Sequence, residues 1–155
     1  MKNASVILLI FILFSCSPSS NESSSQSDSS LNDAPIEVDL LDTTGGKGVF
    51  FVGLQDNQIV KNPIKIQMGL KGMEVEAAGS INPNKGHHHL IIDGEKIEEG
   101  LPIPLDETHI HYGKGQTETE LNLTPGKHVL TLQFANGLHA SYGPRWGKSI
   151  TVIVK

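Results

Sequence analysis

The stretch "LNLTPGKHVLTL", Leu121 to Leu132, decides how this chain folds. After Gly126 the residues alternate. His128, Leu130 and Leu132 fall on one side of an extended chain, and Lys127, Val129 and Thr131 fall on the other. A period of two marks a β-strand with one buried face. "TETELNL", just upstream, alternates as well, so Thr124-Pro125-Gly126 reads as a corner between two strands.

The same rhythm runs outward from that corner. "PIKIQMGL" sets Ile64, Ile66, Met68 and Leu70 on one face and Lys65 and Gln67 on the other. "VFFVG", "HHHLIID" and "KSITVIV" are further strands. No segment has a convincing amphipathic helix. Glu95 to Gly100 has room for one turn before Pro102 and Pro104 forbid more. The expected fold class is all-β, an immunoglobulin-like antiparallel β-sandwich of about seven strands, with Leu121–Leu132 as its E–F corner. A small open barrel is the alternative. His128 is expected to cap the corner by a hydrogen bond, as a tyrosine does in immunoglobulin-like domains.

The ends read differently. "MKNASVILLIFILFSC" has a basic Lys2 and an apolar run, Val6 to Phe14, too short to span a bilayer. Leu13-Phe14-Ser15-Cys16 resembles a bacterial lipobox, in which the cysteine becomes the lipidated N-terminus. The expected organisation is a signal peptide at 1–15, a Ser-rich flexible tether at 16–36, and a β domain at 37–155. The tether lacks the apolar residues needed to offset chain entropy. Cys16 is the only cysteine, so the domain has neither a disulfide nor a thiolate ligand. The expected location is the cell envelope, anchored in the membrane through lipid at Cys16, on the outer membrane facing the periplasm. Twelve Lys and Arg against 17 Asp and Glu give a formal charge of −5, and no basic cluster occurs; both argue against nucleic acid as a partner.

Chemistry concentrates in the histidines. Five of seven lie in "GHHHLIID" and "THIHYGKGQT". Residues two apart in a strand share a face, so His87 pairs with His89, His109 pairs with His111, and His88 turns away with Leu90. Imidazole nitrogens are ligands for copper and zinc, and two such pairs side by side would offer four. The candidate metal ligands are His87, His89, His109 and His111, with His139 able to swing in from a loop and Met73 as a thioether that would favour copper. Asp93 would either orient a ligand or cap the Asp93-Gly94 turn. Trp146 would pack over the sandwich, stack on Arg145 or offer a platform to a sugar. No G-x-S-x-G, P-loop or H-E-x-x-H sequence is present.

The run from "GLKGMEVEAAG" through "GHHHLIID" to "THIHYGKGQTETELNLTPGKHVLTLQ" resembles the bacterial domain-of-unknown-function 4399 family, through its GHHHLxID and HxHxGxGQT elements. The likeness covers roughly Val49 to Lys155. It implies a small exported β domain and no particular activity. On that resemblance Met73, His87, His88, His89, Asp93, His109, His111, Gln116 and His139 fall on the family's pattern, with His88, Asp93 and Gln116 beside the ligands rather than among them. The tail "NGLHASYGPRWGKSI" departs from the pattern, which more often carries a further histidine and prolines there. The expected function is a lipoprotein binding copper or zinc and not an enzyme. The alternative is a non-catalytic module docking a protein or polysaccharide of the envelope. A metalloenzyme would need a cleft and a general base that the sequence does not display.

Overall fold

The computed structural model describes residues 46–155; the expected signal peptide, Cys16 and the tether lie outside the described residues. Among the described residues the chain is all-β, with nine strands and one 3-10 turn at Pro144–Trp146. The strands are β1 (Gly48–Val52), β2 (Gln58–Val60), β3 (Ile64–Lys71), β4 (Glu74–Val75), β5 (Lys85–Ile92), β6 (His109–His111), β7 (Glu118–Leu121), β8 (Gly126–Ala135) and β9 (Gly147–Val154).

They form a sandwich of the immunoglobulin kind. One sheet has the order β1-β3-β7; the other runs β2-β9-β8-β5-β4, with β6 also paired to β5. Two short pairings, β2 with β9 and β4 with β5, are parallel. The count exceeds the expected seven because β2 and β4 have three and two residues, too few for a period of two to register. Glu95 to Gly100 forms no helix.

The core lies between the sheets. Val49, Ile64, Ile66 and Met68 from the first sheet meet Leu90, Leu130, Leu132, Phe134, Ile150 and Val152 from the second. These are the apolar members of the alternating strands, and their burial is the main force holding the sheets together. Trp146 and Tyr142 pack against the same core, with the Trp146 ring 6.4 Å from that of Phe134. Trp146 is therefore a packing residue. Tyr112 is buried in the core as well.

The corner between β7 and β8 is closed by His128. Its Nε2–H donates to the Thr124 carbonyl at 3.0 Å, and its Nδ1–H donates to Asp93 Oδ2 at 2.8 Å. Asp93 sits in the left-handed region at φ 55, and its Oδ1 accepts the Val129 N–H at 2.8 Å. The carboxylate holds the His128 pKa above its ordinary value. The imidazole lowers that of Asp93, against an opposing push from burial. Asp93 thus serves the turn and the corner, not the other histidines.

A second buried layer covers the outside of the β5–β8 sheet. The chain between β5 and β6 folds back over it. Ile97 N–H donates to Gln133 Oε1 at 3.1 Å, and Ser141 Oγ–H donates to the Ile97 carbonyl at 2.9 Å. Ile91, Thr131 and Gln133 are fully buried although their side of the sheet faces away from the core. His87 and His89 of β5 lie in this outer layer.

Candidate metal centre

β5 supplies two ligands by strand alternation. His87 and His89 project to the outer side, and neither has any exposed surface. Their Nε2 atoms are 3.0 Å apart. β6 runs antiparallel beside β5 with His111 directly opposite His89. His111 Nε2 comes 3.1 Å from His87 Nε2. The nitrogens of His87, His89 and His111 all lie within 4.8 Å of one another.

A fourth nitrogen comes from the turn after β8. Ala135 pairs with His87, and beyond it the chain reverses through Asn136-Gly137, a strong turn dipeptide. Asn136 Oδ1 accepts the N–H groups of Leu138 and Ala140 at 2.9 and 3.1 Å. Gly137 lies so close to the Ser80 carbonyl that a Cβ there would overlap it. His139 takes φ 67, uncommon for a residue with a side chain, and places its Nε2 3.0 Å from His111 Nε2. Strained backbone of this kind concentrates at functional sites.

Gly113 sets the last constraint. The His111 ring folds back over it, and a Cβ at position 113 would overlap the ring at Nε2. The glycine in the H-x-H-x-G element is what allows His111 to aim at the cluster.

The contacts among the four rings cannot all be hydrogen bonds. A neutral imidazole nitrogen carries either one proton or one lone pair. His87 Nε2 touches both His89 and His111, and His111 Nε2 touches both His87 and His139. At most two of the three contacts can be satisfied, those of His89 with His87 and of His111 with His139. A cation at the centre removes the conflict, because all four lone pairs then point at it. Ligand bonds of 2.0–2.1 Å in a tetrahedral site separate the donor atoms by about 3.3 Å. The three contacts, at 3.0–3.1 Å, lie near that separation.

Burial and neighbouring rings disfavour the charged forms of His87, His89 and His111. Burial, and then the neighbouring His111 and His139, push His87 down to about 4. His89 is lowered further, by burial first and then by His87 and His111. His111 is lowered by burial and by His139. Neutral imidazole is the form that binds metal. Among the described residues the Nδ1 atoms of His87 and His89 have no partner.

The remaining candidates stand elsewhere. His109 shares a face with His111 but lies opposite Ile91, one step too far along β6, and its Nδ1–H donates to Asp106 Oδ1 at 2.8 Å. His88 projects into the sandwich, edge-on to Phe134 with 5.2 Å between ring centroids. Among the described residues neither of its ring nitrogens has a partner, and burial pushes it down to about 4. Met73 packs against the core rather than serving as a thioether ligand. Gln116 Oε1 accepts the Lys114 N–H at 2.9 Å in a local turn. The structure also gives roles to Gly113, Asn136 and Asp106, which the sequence reading passed over. Asn-Gly at 136–137 and the Asp-x-Thr turn at 106–108 were the available signals.

No curated protein and no solved structure gives a match to the chain. The profile of one family does, over residues 66–155, which takes in every strand from most of β3 onward and all four converging histidines. The chain belongs to the family described as Domain of unknown function (DUF4399).

Proposed function

We propose that this protein is an exported bacterial lipoprotein, anchored in the envelope membrane at Cys16, whose β-sandwich holds a divalent copper or zinc ion through His87, His89, His111 and His139. The convergence of four imidazole Nε2 atoms carries the reading, since their mutual contacts cannot all be hydrogen bonds. The donor set is all nitrogen. Imidazole suits Zn(II) and Cu(II), whereas Cu(I) prefers the thioether or thiolate that this group lacks. Four protein ligands close a tetrahedral ion's coordination, which is the pattern of sites that hold a metal rather than turn over a substrate on it. Location at the outer membrane and a binding rather than catalytic role complete the proposal. The lipobox-like sequence at Leu13–Cys16 supports the lipid anchor, and Ser17 in place of an aspartate after Cys16 favours the outer membrane.

Calorimetric titration of the purified protein tests it. Zn(II) and Cu(II) are expected to bind one per chain with sub-micromolar affinity, and His87→Ala with His111→Ala is expected to abolish that binding. Binding that survives the double substitution would remove the site from the argument.

A second reading draws on Leu101, Leu105 and Leu138, which are exposed on the covering segment and the His139 turn. They would dock a protein or polymer of the envelope without any metal. Retention of envelope material that is unchanged by a chelator would favour that reading.

A further inference from the structure

His87 and His89 have no exposed surface, so an ion must be brought to them from the rim. We propose that His109 and Asp106 form a loading station, an outer ligand pair that captures a divalent cation and passes it along β6 to His111 and the buried histidines. The inference rests on the metal-binding reading above and adds the route.

The geometry is specific. His109 stands two residues from His111 on the same face of β6, roughly 7 Å along the strand. Its ring is 18% exposed and the Asp106 side chain is 51% exposed, so the pair bridges solvent and the buried group.

Asp106 fixes the ring. Its Oδ1 accepts the N–H of Thr108 at 2.9 Å, the N–H of His109 at 3.0 Å and the Thr108 hydroxyl at 2.8 Å, besides His109 Nδ1–H. A carboxylate only accepts, so the proton of the neutral imidazole sits on Nδ1 and the lone pair on Nε2. A carboxylate that orients an imidazole in this way is the usual support of a metal-binding histidine. All four hydrogen bonds fall on Oδ1, which leaves Oδ2 for a hydrated cation. Glu98, Glu99 and Glu107 are exposed along the same covering segment, with Lys96 as its one basic residue. Exposed acidic residues of this kind attract cations to the covering segment.

Stopped-flow absorbance of the intact protein mixed with Cu(II) reads the loading rate, and an equilibrium titration of the same samples reads affinity. Asp106→Asn and His109→Gln are expected to load about tenfold more slowly, within the range of electrostatic and capture effects on association. Their equilibrium affinity should stay near that of the unsubstituted protein, and high salt should narrow the difference. Unchanged rates in both variants, with the unsubstituted protein still binding Cu(II), would overturn the loading station and leave the metal centre standing. An affinity loss as deep as that of His111→Ala would also overturn it, by making His109 an ordinary ligand. If the unsubstituted protein takes up neither Cu(II) nor Zn(II), the metal-binding reading falls and the route falls with it.

Discussion

β5 and β6 each carry an H-x-H pair, His87 with His89 and His109 with His111, and the fold treats the two pairs differently. On β5 both rings enter the cluster, fully buried. On β6 only His111 does; His109 turns to Asp106 instead. The cause is register. His89 lies opposite His111 and Ile91 opposite His109, so moving from His111 to His109 leads away from His87. A slip of two residues would have put His87 opposite His111 and closed a square from the strands alone. The actual register leaves a gap beside His87, and the His139 turn, hung from the β8 residue that pairs with His87, fills it. An H-x-H pattern thus fixes which way two rings face, while the neighbouring strand decides which rings meet.

The largest expected effect separates the two pairs by acid. The β5 rings are held neutral, and burial lowers His87 and the adjacent His88 to about 4 against an ordinary value near 6.5. Between those values the unfolded chain binds protons that the folded chain refuses. Stability is therefore complete above pH 6.5 and falls as the pH drops towards 4. The slope is about 1.4 kcal/mol per pH unit for each such histidine. Chemical denaturation of the metal-free protein at pH 7, 5.5 and 4.5 should show this loss. Equal stability at pH 7 and 4.5 would mean that the β5 rings are not buried as described. The corner histidine has the opposite sign: Asp93 raises His128, so its contribution is full below its ordinary pKa and fades as the pH rises through the raised value.

A smaller effect comes from the glycine that lets β6 contribute even one ring. In Gly113→Ala the new methyl overlaps His111 at Nε2 and displaces it. Zn(II) affinity should fall about 10- to 100-fold, the range seen when the support of a ligand is disturbed, with little change in the melting temperature of the metal-free protein. Undiminished affinity would show that His111 has another way in.

The smallest effect tests the ring between the β5 ligands. His88 faces the core with two unpartnered nitrogens. His88→Leu removes that burden and should stabilise the metal-free protein by about 1–2 kcal/mol, as read by denaturant midpoint, with metal affinity unchanged. Loss of metal binding in this variant would mean that His88 acts across the sheet.

The strands were legible wherever alternation ran for five or more residues, as in Ile64–Leu70 or His128–Phe134, because the core sorts such residues by side. Where a pairing is two or three residues long, as at β2 and β4, hydrogen bonds to a neighbour define the strand and composition does not. In the candidate centre, the shared face of His87 and His89 was readable for the same reason. The exclusion of His109 and Met73 was not, because each follows from a partner far along the chain or a turn that local pattern does not encode.

By itself the sequence determined an all-β sandwich and its E–F corner, which follow from side-chain alternation and need no knowledge of neighbours, while its two histidine elements carried the resemblance to the family. Only the tertiary structure decided that the rings of His87, His89, His111 and His139 come together while His109 stands outside. That decision depends on strand register and on a left-handed turn at residue 139, and both are set by contacts between segments that lie far apart in the chain.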